Sequence, residues 1–329
     1  MMRKRNVAVA LLGSASLFLA ACGGGTDDGE TKSVEIGLAV EKDVSNLAFL
    51  VAEEQGFYEQ CGLDATVTFF QGGGALMPPL ASGDVDFGWV GTTAIVAAVE
   101  EGSPVKTIAE VSETAGGWGI VVPDDSPLES IEDIEPGTKI SFTSEGSLSH
   151  WFALWAAKQA GVSPDDVVGV PLGTSVPAIG AALDKNDVDA AAVLLPWGHI
   201  LEDEGKRWLA KFDEELPEMN YTGLHANQQV IDDGDVAERM VGAYVLTTEW
   251  MKENPDETID FIANQYDLDD ELAEISYEIV VPDLNDTGEF SEEKMQFLLD
   301  EVSEIPGFID GEVAVDDVLE NVSPAQCDG

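Results

Sequence analysis

Apolar positions along this chain follow two alternating periodicities. Runs rich in β-branched and aromatic residues occupy 34–39, 65–70, 87–90, 139–143, 167–171 and 190–195. Between them, residues 47–55, 76–81, 149–160 and 176–184 carry apolar side chains at helical spacing. Strands separated by helices predict parallel sheets covered on both faces, an α/β class. One block occurs twice, 103 positions apart: Ala75, Leu76, Leu80 and Asp84-Val85-Asp86 align with Ala178, Ile179, Leu183 and Asp187-Val188-Asp189. Each copy reads as a short apolar helix, a polar break and a strand. Gly83 and Asn186, in the two breaks, are residue types that tolerate a left-handed helix end. The same device used once in each half predicts two similar lobes.

Residues 250–329 change character. Helical spacing dominates, Pro255, Pro282, Pro306 and Pro324 mark breaks, and helix starts fall near Asn254-Pro255 and Ser291-Glu292-Glu293. A helical C-terminal section packed on the first lobe is expected.

Composition narrows the partners. The formal net charge is −49, which repels nucleic acid and anionic lipid instead of neutralising them. Apolar content is ordinary, so the acidity belongs to a solvated surface and not to a disordered chain. Salt screens the self-repulsion of so charged a compact state, which predicts a salt-loving host.

The start of the chain reads as an export signal. Arg3, Lys4 and Arg5 precede an apolar stretch over residues 7–20, too short for a stable span. It ends in Leu19-Ala20-Ala21-Cys22, the bacterial lipoprotein cleavage box, so Cys22 is the expected acylated first residue of the mature chain. Loss of residues 1–21 removes three basic groups and takes the net charge from −49 to about −52. The Gly-rich stretch after Cys22 reads as a tether. The body is therefore expected outside the cytoplasm, held to the outer face of the cell membrane by lipid. Cys61 and Cys327 remain, and an even pair in an oxidising compartment predicts one disulfide pinning the C-terminal tail to the first lobe.

Motifs in order along the chain are more specific than any single one. They are Ala52-Glu53-Glu54-Gln55-Gly56-Phe57-Tyr58, Gly62-Leu63-Asp64 and Gly72-Gly73-Gly74. Leu80-Ala81-Ser82-Gly83-Asp84-Val85-Asp86-Phe87-Gly88 and Gly102-Ser103-Pro104-Val105-Lys106 follow. The series continues with Ile131-Glu132-Asp133-Ile134, Pro136-Gly137, Gly146-Ser147 and Asp187-Val188-Asp189-Ala190. Over residues 34–230 the chain resembles the substrate-binding proteins of ABC importers for sulfonates, taurine, nitrate and thiamine-pyrimidine precursors (the SsuA/TauA/NMT1-like group). The resemblance implies a bilobal periplasmic-binding-protein fold of type II, a monomer that closes two lobes on a small solute and presents it to a permease and its ATPase. It implies hinges near 112–120 and 220–228, with lobe 1 at 34–115 and 228–329, lobe 2 at 116–227, and the signal peptide and tether at 1–21 and 22–33.

The cleft can be sketched from the loops that follow strand C-termini, where α/β sheets bind ligands. These are 71–74, 91–93, 144–149 and 173–175, several opening helices whose N–H groups face the crevice. Candidate ligand-binding residues are Asn46, Gly73, Trp89, Gly91, Thr92, Trp118, Gly146, Ser147, Ser149 and Trp197. Trp151 and Trp155 share a helix face, so one of them is expected in the core. After the signal the only arginines are Arg207 and Arg239, neither on a cleft loop. The missing arginine clamp moves the expected ligand modestly toward a neutral or cationic ring compound, with a thiamine-pyrimidine-like or sulfonate-like solute as the working class.

No enzyme signature appears. His150, His199 and His225 lack metal-ligand spacing, and HExxH, CxxC, GxSxG and the P-loop pattern are absent. No catalytic residue, metal or cofactor is expected. Two alternatives stay open, a sensory or adhesive lipoprotein of the same shape and a pyrimidine-synthase-like enzyme of the same fold.

Overall fold

The computed structural model describes residues 31–309 and 311–327. The expected signal peptide, the acylated Cys22 and most of the tether lie outside the described residues. The tether expected to reach residue 33 gives way earlier, because β1 (Lys32–Leu38) already pairs with its neighbour from Lys32 onward.

Among the described residues, ten strands form two five-stranded sheets. They are β1, β2 (Leu63–Phe69), β3 (Phe87–Gly91), β4 (Val105–Ser112), β5 (Gly119–Pro123), β6 (Lys139–Phe142), β7 (Val168–Pro171), β8 (Ala190–Val193), β9 (Lys206–Lys211) and β10 (Thr222–Asn227). Their orders are β2-β1-β3-β10-β4 and β7-β6-β8-β5-β9. Four strands of each sheet run in one direction, and the strand fourth in order, β10 or β5, which adjoins a crossing, is antiparallel to both its neighbours. The order is the same in both, as two lobes built on one plan require.

The sequence repeat sits at the same place in each. Gly83 and Asn186 end their helices with positive φ, 80° and 58°. The residue three further on then ties the helix–strand turn to the first strand. Asp86 Oδ2 accepts from Glu35 N and Asp189 Oδ2 accepts from Lys139 N, both at 2.8 Å. In each lobe a backbone donor of the neighbouring strand is satisfied by an acidic side chain from the helix–strand turn.

The chain passes between sheets twice, from Ser112 to Gly119 and from Lys211 to Thr222. The second passage comes earlier than the 220–228 expected, because Thr222–Asn227 is itself a strand, bonded on both sides in the first sheet. Sequence patterning also passed over β4, β5, β9 and β10, the strands adjoining the crossings.

The C-terminal section is helical, with helices Val236–Glu253, Pro255–Tyr266, Asp270–Val280 and Glu292–Ser303. Phe49 and Tyr244 stack at 5.8 Å between the first and last thirds of lobe 1. Leu319 bridges to Thr107, and Cys61 is bonded to Cys327. The section also reaches lobe 2, where Glu304 pairs with Lys158 and Phe308 lies 5.8 Å from His150. Among the described residues, no helix is long and apolar enough to cross a membrane.

Candidate ligand cleft

The helices Gly73–Ser82, Thr92–Glu100 and Leu148–Gln159 start where strands of the two sheets end, and these ends meet. Between them lies a small cavity of about 20 Å³. Lobe 1 lines it with Ala39, Val40, Asp43, Gly73, Trp89, Val90, Gly91 and Thr222, and the other wall is Trp118, Thr143, Ser147, Leu148 and Ser149. Six of the sequence candidates therefore meet at one place: Gly73, Trp89, Gly91, Trp118, Ser147 and Ser149. Both Trp89 and Trp118 are buried.

Closure depends on bare backbone. A Cβ on Gly91 would stand 2.5 Å from Leu148 Cβ, which is fixed to the opposite helix. Gly72, at φ 101°, and Gly74 bring the first helix against Ser144, whose Oγ accepts from Gly74 N at 3.2 Å. The Thr174 hydroxyl donates to Gln71 Oε1 at 2.8 Å; these two residues occupy equivalent positions of the repeat. Glycine at the seam lets two helix starts approach closely.

The hydroxyls of the second wall are largely occupied by one another. Thr143, Ser147 and Ser149 form a triangle with oxygen separations of 3.0–3.1 Å. Ser147 also donates to Ser144 O and accepts from His150 N as the helix cap. Ser149 Oγ accepts from Thr143 N. They hold the loop in shape.

Asp43 is one of the cavity residues that sequence reasoning missed, with Val40, Thr143 and Thr222 among the others. It is 1% exposed. Its Oδ1 accepts from Ser45 N and the Ser45 hydroxyl, capping a short turn, while Oδ2 has no hydrogen-bond partner. Trp89 Nε1 is also unpartnered. Burial pushes the Asp43 carboxyl up to about 7, with the Ser45 hydroxyl and N–H pulling it down. No lysine or arginine lines the cavity.

Four candidates lie elsewhere. Asn46 is a brace: its Nδ2 donates to Val40 O at 2.6 Å and its Oδ1 accepts from the Tyr266 hydroxyl at 2.8 Å. Thr92 is buried, does not line the cavity, and has an unpartnered hydroxyl. Gly146, at φ 73°, donates its N–H to His150 Nδ1. Trp197 donates Nε1 to Lys42 O at 2.7 Å and lines a separate groove of about 440 Å³ between the lobes. The loop 39–43 divides the two spaces, with Glu41 and Lys42 toward the groove and Ala39, Val40 and Asp43 toward the cavity. Trp151 and Trp155 are both in the core of lobe 2. Among the described residues, no group of three or more His, Cys, Asp or Glu could hold a metal ion.

Residues 44–258 match the model of the NMT1/THI5-like family, a span that holds β2 to β10 and both crossings. The chain belongs to that family. A taurine-binding periplasmic protein of Escherichia coli is 30% identical over 150 residues, 46% of this chain and 45% of that one. A Bacillus subtilis protein named for aliphatic-sulfonate binding is 26% identical over 266 residues, 78% of this chain and 77% of that one. The alkanesulfonate-binding protein SsuA of Xanthomonas axonopodis, solved with MOPS, superposes with a TM-score of 0.75 at 20% identity. That superposition covers 89% of this chain and 99% of SsuA. A desulfurization enzyme, DSZB, also superposes, with a TM-score of 0.60 at 18% identity over 88% and 96% of the two chains. The NMT1/THI5-like chain thus has the periplasmic-binding-protein fold, which carries both binders and at least one enzyme.

Proposed function

We propose that this chain is the extracytoplasmic solute-binding component of an ABC importer, anchored by lipid on Cys22, that closes its lobes on a small organic solute and delivers it to a permease. The observation that carries this reading is the cavity lined from both lobes and sealed by the close approach of Gly91 and Leu148. A site completed only when two lobes meet couples occupancy to shape, the property a permease reads. Family membership and the binding proteins among the relatives support the same reading. The working solute class is thiamine-pyrimidine-like or sulfonate-like, and the acidic surface fits a salt-loving host.

Thermal unfolding of the mature chain in molar salt tests the reading, with thiamine pyrimidines, taurine, alkyl and aryl sulfonates, betaines, nitrate and aromatic carboxylates as probes. A solute bound only by the folded state adds about 2.7 kcal/mol at a hundredfold excess over its dissociation constant. A selective rise in midpoint, with a smaller radius of gyration by X-ray scattering, is the expected result. Turnover of any probe would shift the reading to the enzymes of this fold. Equal stability with and without salt would remove the salt-loving host.

A further inference from the structure

The polar atoms around the cleft cavity divide into those already occupied and those that are not. Thr143, Ser147 and Ser149 bond to one another and to their own loop. Among the lining residues, the buried side-chain atoms left without partners are Asp43 Oδ2, an acceptor, and Trp89 Nε1, a donor. A buried carboxylate oxygen without a partner is costly, and the group that offsets most of that cost is a charge-assisted N–H donor. Two indoles beside it add a surface that attracts cations. No basic side chain lines the cavity to compete for Asp43 or to neutralise an anionic solute.

We propose that the cleft selects solutes carrying a protonated primary amine or amidine, which donates an N–H to Asp43 Oδ2 while the carbon skeleton lies against Trp89 and Trp118. The inference rests on the solute-binding reading and deepens it. An oxygen acceptor on the same solute would take the Trp89 Nε1 hydrogen, so amino alcohols and amino-sulfonates are better matched than simple alkylamines. Asn46 has a positioning role. By holding Val40 O and accepting from Tyr266, it fixes the loop that carries Asp43.

The test uses pairs of compounds differing only in the ammonium group, titrated into the mature protein and followed by calorimetry and tryptophan fluorescence. Taurine is set against ethanesulfonate, ethanolamine against ethylene glycol, and acetamidine against acetamide. Choline tests charge without an N–H donor. The expected result is that each protonated member binds at least about tenfold tighter than its partner and ethanolamine outbinds choline. Asp43→Asn should remove the preference while the variant still unfolds cooperatively. Trp89→Phe, which keeps the ring and deletes the donor, should weaken ethanolamine and taurine more than acetamidine.

Equal binding within the pairs, choline matching ethanolamine, or an unchanged preference in Asp43→Asn would each overturn the inference. In those cases a ligand is still bound, so the solute-binding reading stands. Silence from the protonated members overturns the inference as well. The broader panel and the scattering measurement then decide the function separately.

Discussion

Asp43 and Glu110 are both 1% exposed, and each has one carboxylate oxygen without a partner, yet their settings differ in kind. Asp43 lines the small cavity between lobes; Ser45 is the group pulling its carboxyl down, and the titratable group that senses it is the buried Tyr266. Glu110, on β4, faces an open pocket of about 510 Å³ with Glu113, Glu218, Asp283, Asp286 and Glu289 among its walls. Burial pushes Glu110 up to about 8, Glu113 adds to the push, and Lys294 pulls back while bound to Glu113 and Glu218. Asp283 is likewise pushed up to about 6 by burial. A carboxyl crowded by others keeps its proton at neutral pH and has no charge to offer. An isolated one, poised near neutrality, ionises as soon as a cation arrives. Burial alone therefore does not make a recognition site; the charges around the buried group decide.

The largest effect expected is on the Glu110 side. Loss of the Cys61–Cys327 bond, by serine at both positions, frees the tail that returns through Leu319 to Thr107 on the same strand. It should cost about 2–5 kcal/mol in chemical unfolding. Solute affinity should stay within about twofold, because the bond lies away from the cleft. A large loss of affinity without loss of stability would break the division between the two regions.

Gly91→Ala acts on the other side. Its backbone, at φ −60°, accepts alanine without strain, but the added methyl meets Leu148 only when the lobes close. Overpacking of this kind costs about 1–3 kcal/mol, so affinity should fall roughly fivefold to a hundredfold with the ligand-free unfolding midpoint little changed. Equal losses in both measurements would mean the contact belongs to the core of a rigid body.

The finest test compares pH profiles of Glu110→Gln and Asp43→Asn without ligand. Both carboxyls are raised in the folded state, so each holds a proton there that the unfolded chain has already lost. Wild type should lose stability relative to each variant as pH rises, from about 4 to 7 for Asp43 and from about 4 to 8 for Glu110. The differences should be on the order of 1–3 kcal/mol. A saturating amine should abolish the Asp43 loss and leave the Glu110 loss intact. Abolition of both would mean the cation binds the outer pocket as well.

The two-lobe plan was legible because it is written locally. Helix period, strand period and the residues at Gly83 and Asn186 are properties of neighbouring positions. Their repetition at a spacing of 103 required no knowledge of the fold. The Ser291 cap was legible for the same reason. The strands beside the crossings were not, because β10 pairs with residues more than a hundred positions earlier and acquires its burial only from them. Trp197 follows a strand end as a cleft residue should, and only the tertiary structure shows that its indole bonds to Lys42 and lines the larger groove between the lobes instead of the small cavity.

The sequence by itself determined the α/β class, the duplicated lobe and the loops that border the crevice, since short-range spacing encodes all three. Only the tertiary structure decided which polar atoms of those loops remain free. Asp43 is one of 64 acidic residues and carries no local mark. Its chemistry arises because the two lobes close over it, removing water from one oxygen while Ser45 satisfies the other. Solvation and partnering depend on atoms far apart in the chain, and residue order alone does not reveal them.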